Sequence, residues 1–580
     1  MKILASTTRK MGMRKSLLHE ISYSRLKLIQ ASLLLFCISI LLNLSAMEGF
    51  WRWDDPAFLT HITGYAIWQD FFNPAAWQDI SPSNFTPWLT LSYKIDLVLF
   101  GLQPHLFYLH QIIAIGASAV VLNALLALWL PPVYAISSSL LFIIGTPALL
   151  VAQQLMTRHY VEGLFFCLTS FFFFIVHLRH KSRTWQLISA GFYLLATLSK
   201  EVFFPLFLIL LFFPEKNIRV RSRSLIPHVL IALVYIFWRA RMLGSLSGGY
   251  SDNSDFFSQI DLIEVLLSFS NFPNLLFSES WIFVTVAYLY LLSIFIYRSP
   301  SSLFFLIIIL FSIFAPLAPL VKFPGISIAD RYLLLPWLVF SASCGVFVYS
   351  DLSKLKTYQS SLLRGPAVIA ILAIAGSSAL SSIQTRRVVG ATAEQFDVVG
   401  RYIWGQDAST GYLPSKLISS SLWYVTDLGI LRQRVKPDQP APLVIVDPAF
   451  LAPKYVNPRI TLVEYNEICR CMKPSKMHIN TLLEEWRQRE RVDAPLTLSH
   501  TYQNNIFAWS FGPYEDGTYH IISDTLGITE VPKTGSQRVR LDLNSNFILR
   551  YTSPAGWTTH STIETIVESA EEKVWRRPSL

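Results

Sequence analysis

The chain reads as an α-helical multi-pass membrane protein with a water-soluble, mixed α/β, strand-rich region at its C-terminal end. Three observations predict this. Of the 580 residues, 52% are hydrophobic and 15% are charged, a balance too apolar for an ordinary soluble protein. Uncharged runs of membrane-crossing length recur between residues 28 and 383, against a hydrocarbon core of about 30 Å. From 384 onward the runs stop, and polar sequence with alternating apolar positions takes over, the pattern of half-buried strands.

Met1 to Lys27 carries Lys2, Arg9, Lys10, Arg14, Lys15, Arg25 and Lys27, the basic flank expected on the cytoplasmic side of a first span. The uncharged run Leu28 to Met47 is longer than the apolar core of a signal peptide. An uncleaved anchor is therefore expected in preference to cleavage near Ala46. Further runs at 107–130, 132–151, 161–178, 185–199, 202–214, 225–243, 281–297, 303–321, 332–349 and 365–383 bring the expected number of spans to about eleven. The runs 185–199 and 202–214 are short, and read also as tilted halves of a hairpin.

Charge checks that count independently. Arg179/Lys181/Arg183, Lys216/Arg219/Arg221/Arg223, Arg298 and Lys354/Lys356/Arg364 all fall on the cytoplasmic side of an eleven-span arrangement. The opposite loops hold only single cations such as Arg52, Lys94, Arg158 and Arg331, as the positive-inside rule requires. An odd count places 384–580 outside the cytoplasm as a periplasmic domain, with 1–383 as the membrane domain. The net charge of +10 is thus spent on orientation; the basic residues form no common face, and nucleic-acid binding is excluded.

Two outer segments are large. The first, about 48–106, is rich in Trp, Phe and Pro and reads as short amphipathic helices in the interface. The tail holds alternating stretches at Pro442-Leu-Val-Ile-Val, Arg538-Val-Arg-Leu-Asp-Leu and Asn546-Phe-Ile-Leu-Arg-Tyr, with a helix at Ile479 to Arg491. Cys37, Cys167 and Cys344 lie in apolar runs and read as small core residues. Cys469 and Cys471 form a C-x-C pair, open to a structural or redox pairing or to two separate thiols.

Charges beside hydrocarbon are costly and mark function or internal pairing. Asp54 and Asp55, within Trp51-Arg-Trp-Asp-Asp-Pro, emerge at the membrane surface directly after the first span. Such a pair suits a general base or a divalent metal; its structural alternative is a helix N-terminus followed by Pro56. His105 and His110 read first as packing at a helix start, and His61 and His159 have no spacing partner for zinc. The Asn84-Phe-Thr sequon precedes Pro87 and reads as chance. No phosphate-cradling glycine loop is present, so nucleotide-driven chemistry is not expected.

Farther along, Thr86-Pro-Trp-Leu-Thr, Leu99-Phe-Gly-Leu and His105/His110 follow in order. With the acidic pair ahead of them, they resemble the first outer loop of GT-C membrane glycosyltransferases, specifically the protein O-mannosyltransferase-like branch. Leu198-Ser-Lys-Glu resembles that family's Ser-Lys-Glu signature, and Ala329-Asp-Arg-Tyr-Leu-Leu-Leu-Pro its Arg-Tyr-x-x-x-Pro segment. Arg158 in Met156-Thr-Arg-His-Tyr stands at the place of an arginine after the third span. Here the chain departs from the pattern: Tyr160 and Glu162 stand where a further acid is often found. The resemblance covers about residues 28–350.

The resemblance implies transfer of a sugar from a polyprenyl-phosphate donor to a glycan, lipid or protein acceptor, with inversion at the anomeric carbon. Asp54 or Asp55 would be the base, the other orienting it or holding a metal. Arg158, Lys200 and Arg331 would meet the donor phosphate, with Arg52 and Lys94 as further cations and Glu201, His105 and Glu162 in support. The prenyl chain would lie in an apolar groove among membrane lipids. The expected location is a bacterial inner membrane, with the active site on the periplasmic face. The structural alternatives are an interfacial end for Arg331 and an ion pair between Lys200 and Glu201. Rival functions are a transferase acting on lipid A or another envelope glycan, a transporter or flippase, and a non-catalytic scaffold.

Overall fold

The computed structural model describes residues 28–81, 83–244, 272–277, 280–298, 302–314, 331–353, 359–405, 410–412, 422–439, 443–444, 448, 461–476, 478–503, 506–523, 527–538 and 546–577. The basic N-terminal segment, Lys354 and Lys356, the end of the run 303–321, and most of the alternating stretches at 442 and 538 lie outside the described residues. By contacts the chain divides into two compact units. One comprises Met1–Glu48, His105–Tyr235 and Ile260–Gly390; the other comprises Gly49–Pro104, Ile236–Gln259 and Ala391–Leu580. This grouping follows contacts, whereas the division at 384 follows expected membrane topology.

The first unit is helical. Among the described residues of the whole chain, six helices are long and apolar enough to cross a membrane: Leu28–Glu48, Pro104–Leu126, Leu155–His180, Ile226–Leu243, Arg331–Tyr349 and Val368–Gly405. A bent pair, Pro132–Ile144 and Thr146–Ala152, makes a seventh if counted as one span. The expected eleven crossings are therefore not all matched, although helix stands at every expected run. Part of the shortfall has local causes. The run 132–151 bends by 55° at Gly145, just before Pro147, which cannot donate to the helix ladder. There the Trp337 ring packs so closely that a Cβ on Gly145 would fall 2.1 Å from it, and Trp337 Nε1 donates to Phe142 O at 2.9 Å.

The runs 185–199 and 202–214 become an α-helix, Arg183–Ser199, and a 3-10 helix, Glu201–Phe212, with Pro205 inside it. Twelve 3-10 residues extend about 24 Å at about 2 Å each, more than the same residues would reach as α-helix. The helix Arg158–His180 ends at Lys181, whose φ of 54° is left-handed, and the chain turns back as Arg183–Ser199. Small polar side chains join these two helices: Ser170 Oγ donates to Ser189 O at 2.8 Å. Ser189 Oγ also meets His228 Nε2 at 3.0 Å, the kind of hydrogen bond that holds helices together in lipid.

In the second unit, residues 49–104 form four helices, Asp55–Gly64, Gln69–Phe72, Pro74–Ile80 and Pro87–Phe100. These are the short helices expected of the first outer segment. Trp68 and Phe72 remain largely exposed there. The C-terminal region is strand-rich, as its alternation predicts. One antiparallel sheet runs in the order Thr558–His560, Asn546–Thr552, Thr518–Ser523, Gly527–Val531, with Glu564–Thr565 also on Asn546–Thr552. A second runs Ser569–Arg577, Leu496–Gln503, Ile506–Gly512, Thr534–Arg538. Phe507, Trp509 and Phe511 from one sheet share a core with Phe547, Leu549 and Tyr551 from the other, each set spaced by two as one face of a strand requires. A smaller sheet pairs Thr410–Tyr412 in parallel with Leu443–Val444 and Thr461–Asn466. The turn after Thr461–Asn466 carries the C-x-C pair, which is closed as a Cys469–Cys471 disulfide. The expected tail helix is present as Ile479–Arg489.

Candidate active site

The acidic pair lies in the second unit. Asp55 is the first residue of the helix Asp55–Gly64 and Pro56 is the second, a position where proline loses no helix hydrogen bond. Asp55 is fully buried. Its Oδ2 accepts from the Arg52 backbone N–H at 2.9 Å, and its Oδ1 accepts from the Tyr93 hydroxyl at 2.9 Å. Burial pushes its pKa up to about 7, against the opposing pull of the Arg52 and Tyr93 hydrogen bonds; the neighbouring Asp54 charge adds to the rise.

Asp54 differs. It is half-buried, and its side chain does not cap the helix that follows. The structural alternative, a carboxylate spent on helix amides, therefore does not hold for Asp54. The preceding residue, Trp53, has φ of 46°, a left-handed conformation that is strained for a bulky side chain. Strain of this kind collects at functional sites.

Other candidates in this unit have internal tasks. Lys94 Nζ donates to Ile62 O at 2.8 Å, at the C-terminal end of the helix that Asp55 begins, where a cation is favoured. Arg52 is buried, and its Nε and Nη2 hold the Asp397 carboxylate at 2.7 and 2.5 Å. His61 meets Asp70 at 2.8 Å with both side chains buried.

The cations Lys200 and Arg331 lie in the first unit, together with Arg158. The short segments read from the sequence around 156–160 and 198–201 converge there with Arg331–Leu333, the described part of the third. Lys200 Nζ stands 5.7 Å from the centre of the Tyr160 ring. Tyr160 meets Tyr332 edge-on at 5.8 Å, and the Arg331 guanidinium carbon is 5.1 Å from the Tyr332 ring. These are cation–π distances. His159 packs on Tyr160 at 4.7 Å, and the charges of Lys200 and Arg331 both reach it. Lys200, Glu201 and Arg331 are half-buried.

Arg158 is set deeper. It is fully buried, donates from Nη2 to Phe107 O at 2.8 Å, and lies 5.5 Å from the Phe107 ring centre. One turn along, buried Glu162 holds His110 at 3.2 Å. His105 is exposed in the first turn of its helix. The sequence reading missed Tyr93 and Asp397. Tyr93 had a weak signal, since it sits one residue before Lys94 in the first outer loop. Asp397 lies 345 residues from Arg52, and no local pattern announces that pairing.

Among the described residues, no three His, Cys, Asp or Glu side chains gather as a metal set. No family model matches the chain, and no curated protein matches it by sequence. Among solved structures it is similar to an archaeal oligosaccharyltransferase, AglB from Archaeoglobus fulgidus in complex with an inhibitory peptide and a dolichol-phosphate. That likeness has 12% identity over 89% of this chain and 75% of that one, with a TM-score of 0.44. It is also similar to ArnT from Cupriavidus metallidurans in the apo state, at 12% identity over 75% of this chain and 93% of that one, TM-score 0.38. The same protein bound to undecaprenyl phosphate gives 13% identity, the same coverage and a TM-score of 0.35. Superpositions this loose assign no residue a role.

Proposed function

We propose that this chain is a membrane glycosyltransferase of the GT-C kind, moving a sugar from a polyprenyl-phosphate donor to an acceptor hydroxyl or amide. The acceptor oxygen or nitrogen bonds to the anomeric carbon while the bond from that carbon to the phosphate oxygen breaks. The lipid phosphate leaves with the bonding electrons, and the acceptor's proton goes to a carboxylate. No further reactant is needed. The observation that carries this reading is the half-buried Asp54 held against a buried Asp55 whose pKa is about 7. A carboxylate kept inside at such cost is a mark of function, and the accessible acid beside it is placed to accept a proton.

The two acids divide the work. Asp54, the accessible one, takes the proton. Asp55, with both oxygens engaged inside the protein, positions Asp54, and the two like charges act on each other. Lys200 and Arg331, only half-buried, hold the donor phosphate, a task for charged donors that a ligand can reach. Buried Arg158 supports them from within, while Glu201, Glu162, His105 and Lys94 act as scaffold. A cavity of about 270 Å³ among the first unit's helices, lined by Tyr134, Ser138, Leu141, Cys344, Gly345 and Ile374, is almost wholly apolar and suits a lipid chain.

The location follows a separate line. The basic loops favour a cytoplasmic N-terminus and a periplasmic C-terminal domain in a bacterial inner membrane. The Cys469–Cys471 disulfide favours the same side, since such bonds persist outside the reducing cytosol. A periplasm-only reporter fused near residue 400 is expected to be active; a cytoplasmic readout would reverse the orientation. For the activity, membrane vesicles holding the full chain are expected to consume a labelled polyprenyl-phosphate hexose or pentose. Consumption of none of them would refute the transferase reading.

A further inference from the structure

The four residues ahead of Asp54 are held, one after another, by the C-terminal region. The Phe50 backbone N–H donates to Asp397 Oδ1 at 2.8 Å. Trp51 O accepts from the Tyr424 hydroxyl at 2.7 Å. Arg52 forks onto both oxygens of Asp397, the geometry that makes an arginine–carboxylate pair strong and directional. Trp53 packs on Phe396, ring centres 5.1 Å apart, in the strained conformation described above. Phe396 also meets Tyr424 edge-on at 4.9 Å.

The approach is close from both sides. A Cβ on Gly400 would fall 2.1 Å from the Tyr424 hydroxyl and 2.7 Å from the Phe50 ring. All of these residues belong to one compact unit. The grip passes directly to the acids: the residue clamped by Asp397 is also the one whose backbone N–H binds Asp55. A strained turn persists only where its surroundings over-determine it. Here the surroundings come from Phe396, Asp397 and Tyr424, more than 340 positions away in sequence.

We propose that Asp397, acting through Arg52 and assisted by Tyr424, is a positioning residue for the Asp54–Asp55 pair, which makes the C-terminal region part of the catalytic machinery. This rests on the reading of Asp54 as the base. Asp397 touches no substrate in this account. It fixes the turn, and it pairs with the guanidinium whose charge also bears on Asp55.

The test uses the full chain in membrane vesicles, with whichever polyprenyl-phosphate sugar wild type consumes fastest from a panel of hexoses and pentoses. Asp397→Asn is expected to lower kcat by about 10- to 100-fold, a loss typical of a misplaced catalytic group, with donor KM changed less than about threefold. The acid limb of its pH profile is expected to move to lower pH, because a released Arg52 charge stabilises the Asp55 carboxylate. Asp397→Glu should recover part of the rate. Should Asp397→Asn fail to fold, Tyr424→Phe removes only the hydroxyl bonded to Trp51 O and should lower kcat with the same KM pattern. Wild-type kcat and an unmoved pH profile in folded Asp397→Asn, or wild-type kcat in Tyr424→Phe where only that variant folds, would overturn the positioning role alone. Full activity in Asp54→Asn, or no donor consumption by wild type, would overturn the base assignment and the positioning role with it.

Discussion

Asp54→Asn is expected to lower the rate of sugar transfer by about 10²- to 10⁴-fold, the usual contribution of a positioned general base, while leaving donor KM nearly unchanged. The substitution keeps size and removes both the negative charge and the ability to take a proton. Asp55→Asn is expected to cost less and to change the pH profile instead. In wild type the rate should climb as pH rises through about 7, where Asp55 ionises, and this limb should flatten in Asp55→Asn. Tyr93→Phe removes a hydrogen bond that lowers the Asp55 pKa, so the limb should move to higher pH. Stability runs the opposite way. Between the ordinary carboxylate range and about 7, the folded protein keeps a proton that the unfolded chain has released. Stability is therefore highest at the acid end of that interval and falls as pH rises across it. The total cost is about 4 kcal/mol by neutral pH, and Asp55→Asn should remove that dependence. A pH–rate series for these four proteins checks the assignment. Equal losses and identical profiles for Asp54→Asn and Asp55→Asn would refute the division of roles.

Replacing both Lys200 and Arg331 by Met is expected to raise donor KM by about 10²- to 10³-fold. Each charged hydrogen bond to a phosphate contributes about 1.5–3 kcal/mol, so each single substitution should cost roughly 10- to 100-fold. Arg331→Lys keeps the charge and loses the planar fork, and should fall between. Because the phosphate contacts act before and after bond breaking, the main change belongs in KM. Titration of the solubilised protein with a polyprenyl phosphate lacking sugar isolates this step. Unchanged affinity in the double variant would remove both residues from the donor site.

What was legible in the sequence was what is local. Helix stands at each uncharged run because apolar length is a property of consecutive residues, and the tail's strands follow its period-two alternation. The segments at Arg158, Lys200 and Arg331 stand out by their resemblance to a family's short motifs, and the described residues of those segments gather around Tyr160 and Tyr332. The number of crossings was less legible, since a hydropathy run does not reveal the bend at Gly145 or the 3-10 winding after Lys200. The deepest omission was Asp397. Its role depends on a contact with Arg52 formed only when the chain returns after some 345 residues, which periodicity cannot encode. Arg158 illustrates the converse: its charge was visible, but its complete burial against Phe107 was not.

The most direct measurement follows both halves of the donor. Purified full-length protein in proteoliposomes is given polyprenyl-phosphate sugars carrying separate labels on sugar and lipid, together with an envelope glycolipid and peptide extract as acceptor. The account predicts that the labels part: sugar passes to the acceptor while free polyprenyl phosphate accumulates in equal amount, and neither occurs with Asp54→Asn. Labels that remain joined and cross the bilayer together, at the same rate in wild type and Asp54→Asn, would mark a transporter and contradict it.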